Sequence, residues 1–463
     1  MDTINEILSL DNPNDVINEL KYKTIIVRPW EELEKEYDKK KHPVYSDPGY
    51  RDKVKEKRNG DSVTVKLSRI ALGLQKLAVK RIGEMCFGIP VKRIYKPNGE
   101  QEQKAAKVIE AIFQKNKIDS VNLERSKYLY ASCEFATIWY TQEQPAEYGG
   151  EKTTIKLRCK SYSPMNDTKL YPLFDEFDDM IALSIEYSRK QGNVSVTYFE
   201  TFTAERHIRW IMKGQAWEIE LDEQIQIGKI AGVYQWRSEP IWEDESDNVY
   251  EAEWQLSRQG NYLRKNQEPI WVVFSNEEIK TGNEDNSGTT GRKVLKYPQD
   301  AKAGYQTWEQ AIDNMKYFIE TIRQNFFAQL QLPEMSSDAM KSMPMSAESR
   351  KMIFIDGQLK VTDESGLWYD TFYREINVVK AFAKKMFPKL SEAIESLQVQ
   401  VLITPYSITD ESERINMYSD ATGGKQVMSQ RTAIERLGYA DDVDAELQKI
   451  ADETIETMGN PTL

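Results

Sequence analysis

Residues 307–330 read TWEQAIDNMKYFIETIRQNFFAQL. Here Trp308, Ile312, Met315, Ile319, Ile322, Phe326 and Leu330 recur at the three- and four-residue intervals that draw one apolar stripe along a helix. Thr307-x-x-Gln310 fits a capping box at its start. At about 1.5 Å per residue such a helix runs for roughly 35 Å, long for a globular domain and suited to spanning something. A companion is expected upstream, from about Ile241 to Lys265, with Val249, Ala252, Leu256 and Leu263 on its stripe. Between the two lie an apolar strand, Pro269-Ile270-Trp271-Val272-Val273-Phe274, a Gly/Asn/Ser/Thr-rich loop from Thr281 to Gly291, and a second strand, Arg292–Tyr297. A strand–loop–strand module between two long helices predicts a protruding tip.

Upstream, the charged residues 1–60 read as a partly extended arm. Helical spacing follows from Val65 to Phe87, stopped by Gly88-Ile89-Pro90, and again over 100–131. The period then changes to strand type at Glu134–Tyr140, Thr153–Cys159, Met180–Tyr187, Val194–Phe199, His207–Ile211 and Ala216–Leu221. Residues 1–235 are therefore expected to form an α+β domain, and the whole chain an α+β fold that is mostly helical. Downstream, Gln331 to Met345 carries two prolines, four methionines and no period, and reads as a loop. Helix is expected from Ser346 to Lys360, then a long amphipathic helix through Trp368, Phe372, Ile376, Val379, Phe382 and Phe387, and a strand at Val399–Thr404. The tail from Asp410 is expected to be helical in two pieces. Ser429 is the N-cap and Gly438 the C′ residue of a short helix, and Asp442 opens the last one.

At 463 residues the chain can bury more than one ordinary core. No run approaches the ~20 apolar residues of a membrane span. The start, Met1-Asp2-Thr3-Ile4-Asn5-Glu6, lacks a secretory pattern, so folding in the cytoplasm that makes the chain is expected. Cys86, Cys133 and Cys159 stand far apart, which argues against a disulfide framework or a thiolate metal site. The two histidines, His42 and His207, lie in different segments and supply neither a triad nor a metal site. They are expected on the surface or half-buried. Gly423-Gly424-Lys425 lacks the upstream glycine and following Ser/Thr of a phosphate-binding loop, so no ATPase is indicated. The acidic runs Asp175–Asp179 and Asp441–Asp444 read as solvated turns, and Trp254, Trp271 and Trp308 as packing residues. No catalytic residue, metal or cofactor is expected. Net charge is −12, against the basic excess of a tight DNA binder, and suits a surface past which DNA slides.

The second half of the chain resembles the portal proteins of long-tailed bacteriophages. The likeness rests on Tyr234-Gln235-Trp236-Arg237-Ser238-Glu239-Pro240-Ile241-Trp242-Glu243-Asp244, on Leu332-Pro333-Glu334, and on Met345-Ser346-Ala347 continuing to Val361. It continues in Arg374–Phe382 and in Gly423-Gly424-Lys425 followed by Met428-Ser429-Gln430-Arg431-Thr432-Ala433 to Tyr439. The chain departs from the family at Ala347, where glycine is common. The resemblance implies a ring, usually of twelve copies, with wing, stem, clip and crown. The expected division is an N-terminal arm and wing over 1–235, first stem helix 236–266, clip 267–303, second stem helix 304–330, tunnel loop 331–347, long wing helix 348–400 and crown 401–463. The tunnel loop would present Met335, Asp338, Met340, Lys341, Met343 and Met345 to the DNA, its methionines adapting to a moving duplex. Trp271, Val273, Phe274, Val294 and Leu295 would oligomerise and dock the clip, since a lone apolar edge strand invites pairing. Implied partners are other copies of the chain, the terminase motor, a head–tail adaptor, the major capsid protein or scaffold, and double-stranded DNA. The implied location is the portal vertex of the virion. Two other readings fit charge and cysteine content: a DNA-processing enzyme of a phage head module, and a non-ring adaptor or scaffold.

Overall fold

The computed structural model describes residues 2–56, 62–192, 194–266, 270–274, 302–306, 312–334, 352, 354–406, 411–423, 426–438, 440 and 443–459. Among them helix outweighs strand, 49% against 26%, as the α+β reading with helix in the majority requires. The N-terminal arm differs from expectation. It folds as α1 (Asp2–Leu8), α2 (Pro13–Tyr22), α3 (Trp30–Tyr37) and α4 (Pro43–Ser46). Pro13 and Pro43 occupy first-turn positions where no N–H is needed, and Asn12 caps α2 through its side chain. The charges that suggested an extended arm are the solvated faces of short amphipathic helices.

A five-stranded antiparallel sheet has the order β10-β9-β8-β7-β6, from β6 (Lys169–Phe174), β7 (Met180–Gln191), β8 (Val194–Phe202), β9 (Arg206–Lys213) and β10 (Ala216–Gln224). Alternation along these strands sends Phe199, Trp210 and Trp217 toward Ile4, Ile17 and Leu20 of α1 and α2. Leu183, Ile185 and Phe202 face the main core. A second sheet pairs β11 (Gly232–Trp236), β4 (Glu134–Tyr148) and β5 (Glu151–Tyr162). Strand β4 runs on past Tyr140, through the polar Thr141-Gln142-Glu143-Gln144-Pro145, because its far end forms a ribbon with β5. Pro145 falls at the register shift between Glu143 and Ala146, where no ladder bond is lost. The ribbon turns at Gly149 and Gly150, both at positive φ, and a Cβ on Gly149 would lie 2.6 Å from the Lys107 backbone. Only glycine lets the turn rest on the helix below it.

That helix is α6 (Glu100–Lys115), followed by α7 (Ile118–Ser132) after Lys117, whose left-handed φ of 51° divides the expected 100–131 run. Helix α5 spans Leu74–Phe87 rather than starting at Val65, which ends a hairpin of β1 (Lys53–Glu56) and β2 (Ser62–Val65). After α8 (Ser246–Asn266), β12 (Ile270–Phe274), β13 (Lys302–Gln306) and α9 (Ile312–Gln329), a single helix α10 covers Ile355–Met386. The two expected segments thus merge without a break at Lys360, and Trp368, Phe372, Ile376, Val379 and Phe382 are buried as their spacing predicts. Helix α11 (Ser391–Ser396) leads into β14 (Gln398–Leu402), which pairs with β3 (Lys92–Lys96). The tail has α12 (Glu411–Thr422), α13 (Gln430–Leu437) and α14 (Val443–Gly459), one helix more than expected. Ser429 Oγ accepts from Thr432 N–H and Gly438 sits at φ 74°, so both caps of α13 stand. Asp442 lies outside the described residues.

One buried ion pair ties helices to sheet. Arg125 of α7 donates to both carboxylate oxygens of Glu375 on α10, with Nη1 at 3.0 Å from Oε2. Trp139 Nε1 of β4 donates to Glu375 at 3.0 Å, and Arg125 Nε to Thr137 Oγ1 at 3.0 Å.

Candidate functional site

Helices α8 and α9 pack on each other and carry the paired strands β12 and β13 at their far ends. Their lengths correspond to roughly 31 Å and 27 Å. The lower end of α9 is rooted in the body through Phe326, Phe327 and Leu330. It closes with Gln331 at φ 54°, while Leu332 N–H bonds back to the Phe327 carbonyl at 2.9 Å. Arg323 and Glu334, 2.9 Å apart, brace this turn. Toward the strands α9 is exposed, with Tyr317 at 72% and Phe318 at 37%.

Helix α8 starts five residues later than expected. Pro240 and the left-handed Asp244 (φ 67°) hold 240–245 as a turn, in which Ile241 N–H bonds the Tyr130 carbonyl and Trp242 is fully buried. Val249 and Ala252 are buried as their spacing predicts, yet Leu263 is exposed. The face turned to the body is polar from Glu253 onward. Glu253 accepts from Leu72 N–H (2.7 Å), Ser257 Oγ from Ile70 N–H (2.9 Å) and Asn261 Oδ1 from Ser68 N–H (2.6 Å), and Arg264 donates to the Lys66 carbonyl (3.0 Å). Four helical residues rise about 6.0 Å and two extended residues about 6.6–6.8 Å. Side chains every fourth position can therefore serve every second N–H of an extended strap. Gly260 admits the close approach, since a Cβ there would meet Ser68 Oγ at 2.5 Å. The strap is also pinned by His42, whose Nδ1 lies 2.7 Å from Glu253 Oε1 and whose Nε2 lies 2.8 Å from the Glu36 carbonyl.

Of the expected clip residues, Trp271 and Val273 pair in register with Tyr305 and Ala303, and Phe274, opposite Lys302, is 69% exposed. The described partner of β12 is thus 302–306, across the expected clip–stem boundary. Val294, Leu295 and the strand Arg292–Tyr297 lie outside the described residues, as do Thr307–Gln310. So do the tunnel-loop residues Met335, Asp338, Met340, Lys341, Met343 and Met345. Their flanks meet, however: a Cβ on Gly357 near the start of α10 would lie 3.0 Å from Pro333 and 2.7 Å from Met85. Pro333 and Gly357, described residues on either side of the expected loop, therefore lie close together.

The residues weighed for chemistry are engaged elsewhere. Both histidines are buried, contrary to expectation, because each sits among carboxylates: His42 beside Glu253, His207 between Glu200 and Glu223. Asp175 Oδ1 accepts from the N–H groups of Phe177 and Asp179, making the acidic run a self-bonded turn. Asp444 pairs with Arg431 at 2.9 Å. Among the described residues no three His, Cys, Asp or Glu side chains converge as a metal site requires, and no helix is long and apolar enough to cross a membrane. Burial pushes the Cys86 and Cys133 thiols up to about 12, away from nucleophilic use.

No curated protein sequence matches. Solved structures with a similar trace include the neck of a native gene transfer agent particle computed with C12 symmetry, at 9% identity and TM-score 0.38 over 91% of this chain and 98% of that one. The virion of the native gene transfer agent particle follows at 8% and 0.39 over 89% and 94%. The neck of the empty particle, computed with C6 symmetry, is at 8% and 0.38 over 79% and 89%. The family model for phage portal proteins of the SPP1 Gp6-like kind matches residues 28–460, nearly the whole chain, from the arm through the helix–strand–strand–helix projection to the tail. The chain belongs to that family of phage portal proteins and is a portal subunit.

Proposed function

We propose that copies of this chain close into a ring, twelve in the usual case, at one vertex of a phage capsid. Double-stranded DNA passes through the ring during packaging and ejection. The observation that carries the reading is the family match, which runs through a two-helix projection rooted in a large α+β body. Helices α8 and α9 are then the stem, side by side around the bore, and β12–β13 with the residues between them the clip. The clip docks the terminase motor and later the head–tail adaptor. The body is the wing, facing capsid protein or scaffold, and the tail from 401 the crown. Met335, Asp338, Met340, Lys341, Met343 and Met345 form a tunnel loop against the DNA, a reading supported by the meeting of its flanks at Pro333 and Gly357. Apolar exposure on α9 at Tyr317 and Phe318 supports a neighbouring copy at the stem. The subunit moves no DNA by itself, since force comes from the motor it docks. Light scattering coupled to size exclusion, with negative-stain imaging of the same peak, tests this. Rings with a central hole and a mass near a dozen times 53.8 kDa are expected. A monomer that cleaves DNA with magnesium would overturn the reading.

A further inference from the structure

We propose that Lys156, Arg158, Lys160 and Arg189, on strands β5 and β7, form a surface for the phosphate backbone of double-stranded DNA. Strand β5 alternates Ile155, Leu157 and Cys159 on one face with Lys156, Arg158 and Lys160 on the other. The register sets Gln142 and Tyr140 of β4 opposite the first two cations, and Tyr140 is 39% exposed. The five-stranded sheet adds the fourth. Lys160 Nζ lies 4.6 Å from the Tyr162 ring centre, Tyr162 lies 6.3 Å from Tyr187, and Arg189 Cζ sits 4.8 Å from the Tyr187 centre.

Among the described residues none of these four cations makes an ion pair, and only Lys156 has a polar side-chain partner, Gln144 Oε1 at 3.4 Å. In a chain with net charge −12, a face of four unneutralised cations is the exception. Among the described residues the nearby carboxylates form no ion pair with it. Glu200 is bonded by Tyr187, His207 and Arg209, while Glu143 stands opposite Ile155, on the other face. Burial and the charge of Arg189 together hold the Lys160 ammonium below its usual range, against the opposing charge of Glu200. Alternate strand residues are about 6.6–6.8 Å apart, close to the advance along the duplex axis of two nucleotides of one strand at about 3.4 Å each. A straight row of three cations along β5, with Arg189 added from the other sheet, matches a phosphate backbone better than it matches an irregular acidic segment of a protein. The exposed Tyr140 hydroxyl at its margin adds a donor to sugar and phosphate.

The test is fluorescence anisotropy of a short DNA duplex with the full chain, titrated between about 50 and about 200 mM salt. The variant Lys156→Gln/Arg158→Gln/Lys160→Gln/Arg189→Gln is compared with Lys104→Gln/Lys127→Gln/Lys385→Gln/Lys389→Gln, which removes the same charge from other exposed positions. Binding by the first variant should fall at least tenfold at low salt, with the slope of log affinity on log salt shallower by about 3–4. The second variant should bind as wild type. The pair Lys156→Gln/Arg158→Gln, which disturbs no ring contact, should lose about half of that slope. Equal losses in both quadruple variants would reduce the effect to net charge and overturn the proposal. So would an unaffected first variant, or a wild type that ignores duplex while binding polyglutamate. The mass of the assembly, which tests the portal ring, is untouched by any of these outcomes.

Discussion

Arg125 and Glu375 are 250 positions apart in the chain and meet with almost no exposure, so neither charge has water to fall back on. Glu375→Ala strands a guanidinium in the core and should cost about 3–5 kcal/mol in urea unfolding. Changing both residues to apolar ones should cost much less, and an equal loss would show that volume rather than unpaired charge decides. Glu134 offers a separate test by pH. Burial raises its carboxyl to about 7, against the opposing hydrogen bond donated by Tyr234. A carboxyl raised above its unfolded value binds its proton more tightly in the folded state, so stability is lost as pH climbs from about 4.5 to about 7 and is level beyond. Glu134→Gln should remove that slope, about 1.4 kcal/mol for each pH unit of the window. Unfolding curves of both proteins that run parallel from about pH 4.5 to about 7 would contradict it. None of this was legible beforehand: in sequence Glu375 is one acid on an amphipathic helix, and its partner is set by tertiary packing alone.

At the scale of elements, legibility followed apolar periodicity. The stripes of α9 and α10 and the cores of β7, β8, β9 and β10 were placed within a few residues, because burial against one face writes a regular period. Strands β6 and β11 were missed, and β4 was cut short, since five or six residues or a polar ribbon leave no period to read. The docked face of α8 was misread for a related reason. Its contact with the body is made by Glu253, Ser257 and Asn261, polar side chains that bond backbone N–H groups in place of a strand. Asn261→Ala leaves Ser68 N–H, bonded at 2.6 Å, without its acceptor, and should cost about 1–3 kcal/mol. Hydrogen exchange gives the sharper readout. Ser68, Ile70 and Leu72 should lose protection together if the strap lifts as a unit, whereas loss at Ser68 alone would mean three independent bonds.

At the scale of the whole molecule, the portal family was legible in ordered strings over the second half, and the match extends it over residues 28–460. The N-terminal half carried no such strings, and the residues proposed for the tunnel loop and clip were named from the resemblance alone. The tail raises the last question. Among its described side chains from Ile415 on, only Ala433 is buried, while Ile415, Met417 and Val427 are exposed. Three helices of 12, 8 and 17 residues with so little core gain almost nothing from burial to set against the entropy of ordering them. In the proposed ring each tail has neighbours on both sides, and those exposed residues are the surface available to cover. Limited proteolysis of unassembled chain should therefore release a tail fragment beginning near Glu411 well before the N-terminal body is cut, and the same digestion of the ring should spare it. Cleavage at equal rates in both forms would mean that the tail stays outside the assembly interface and that its apolar side chains face another partner.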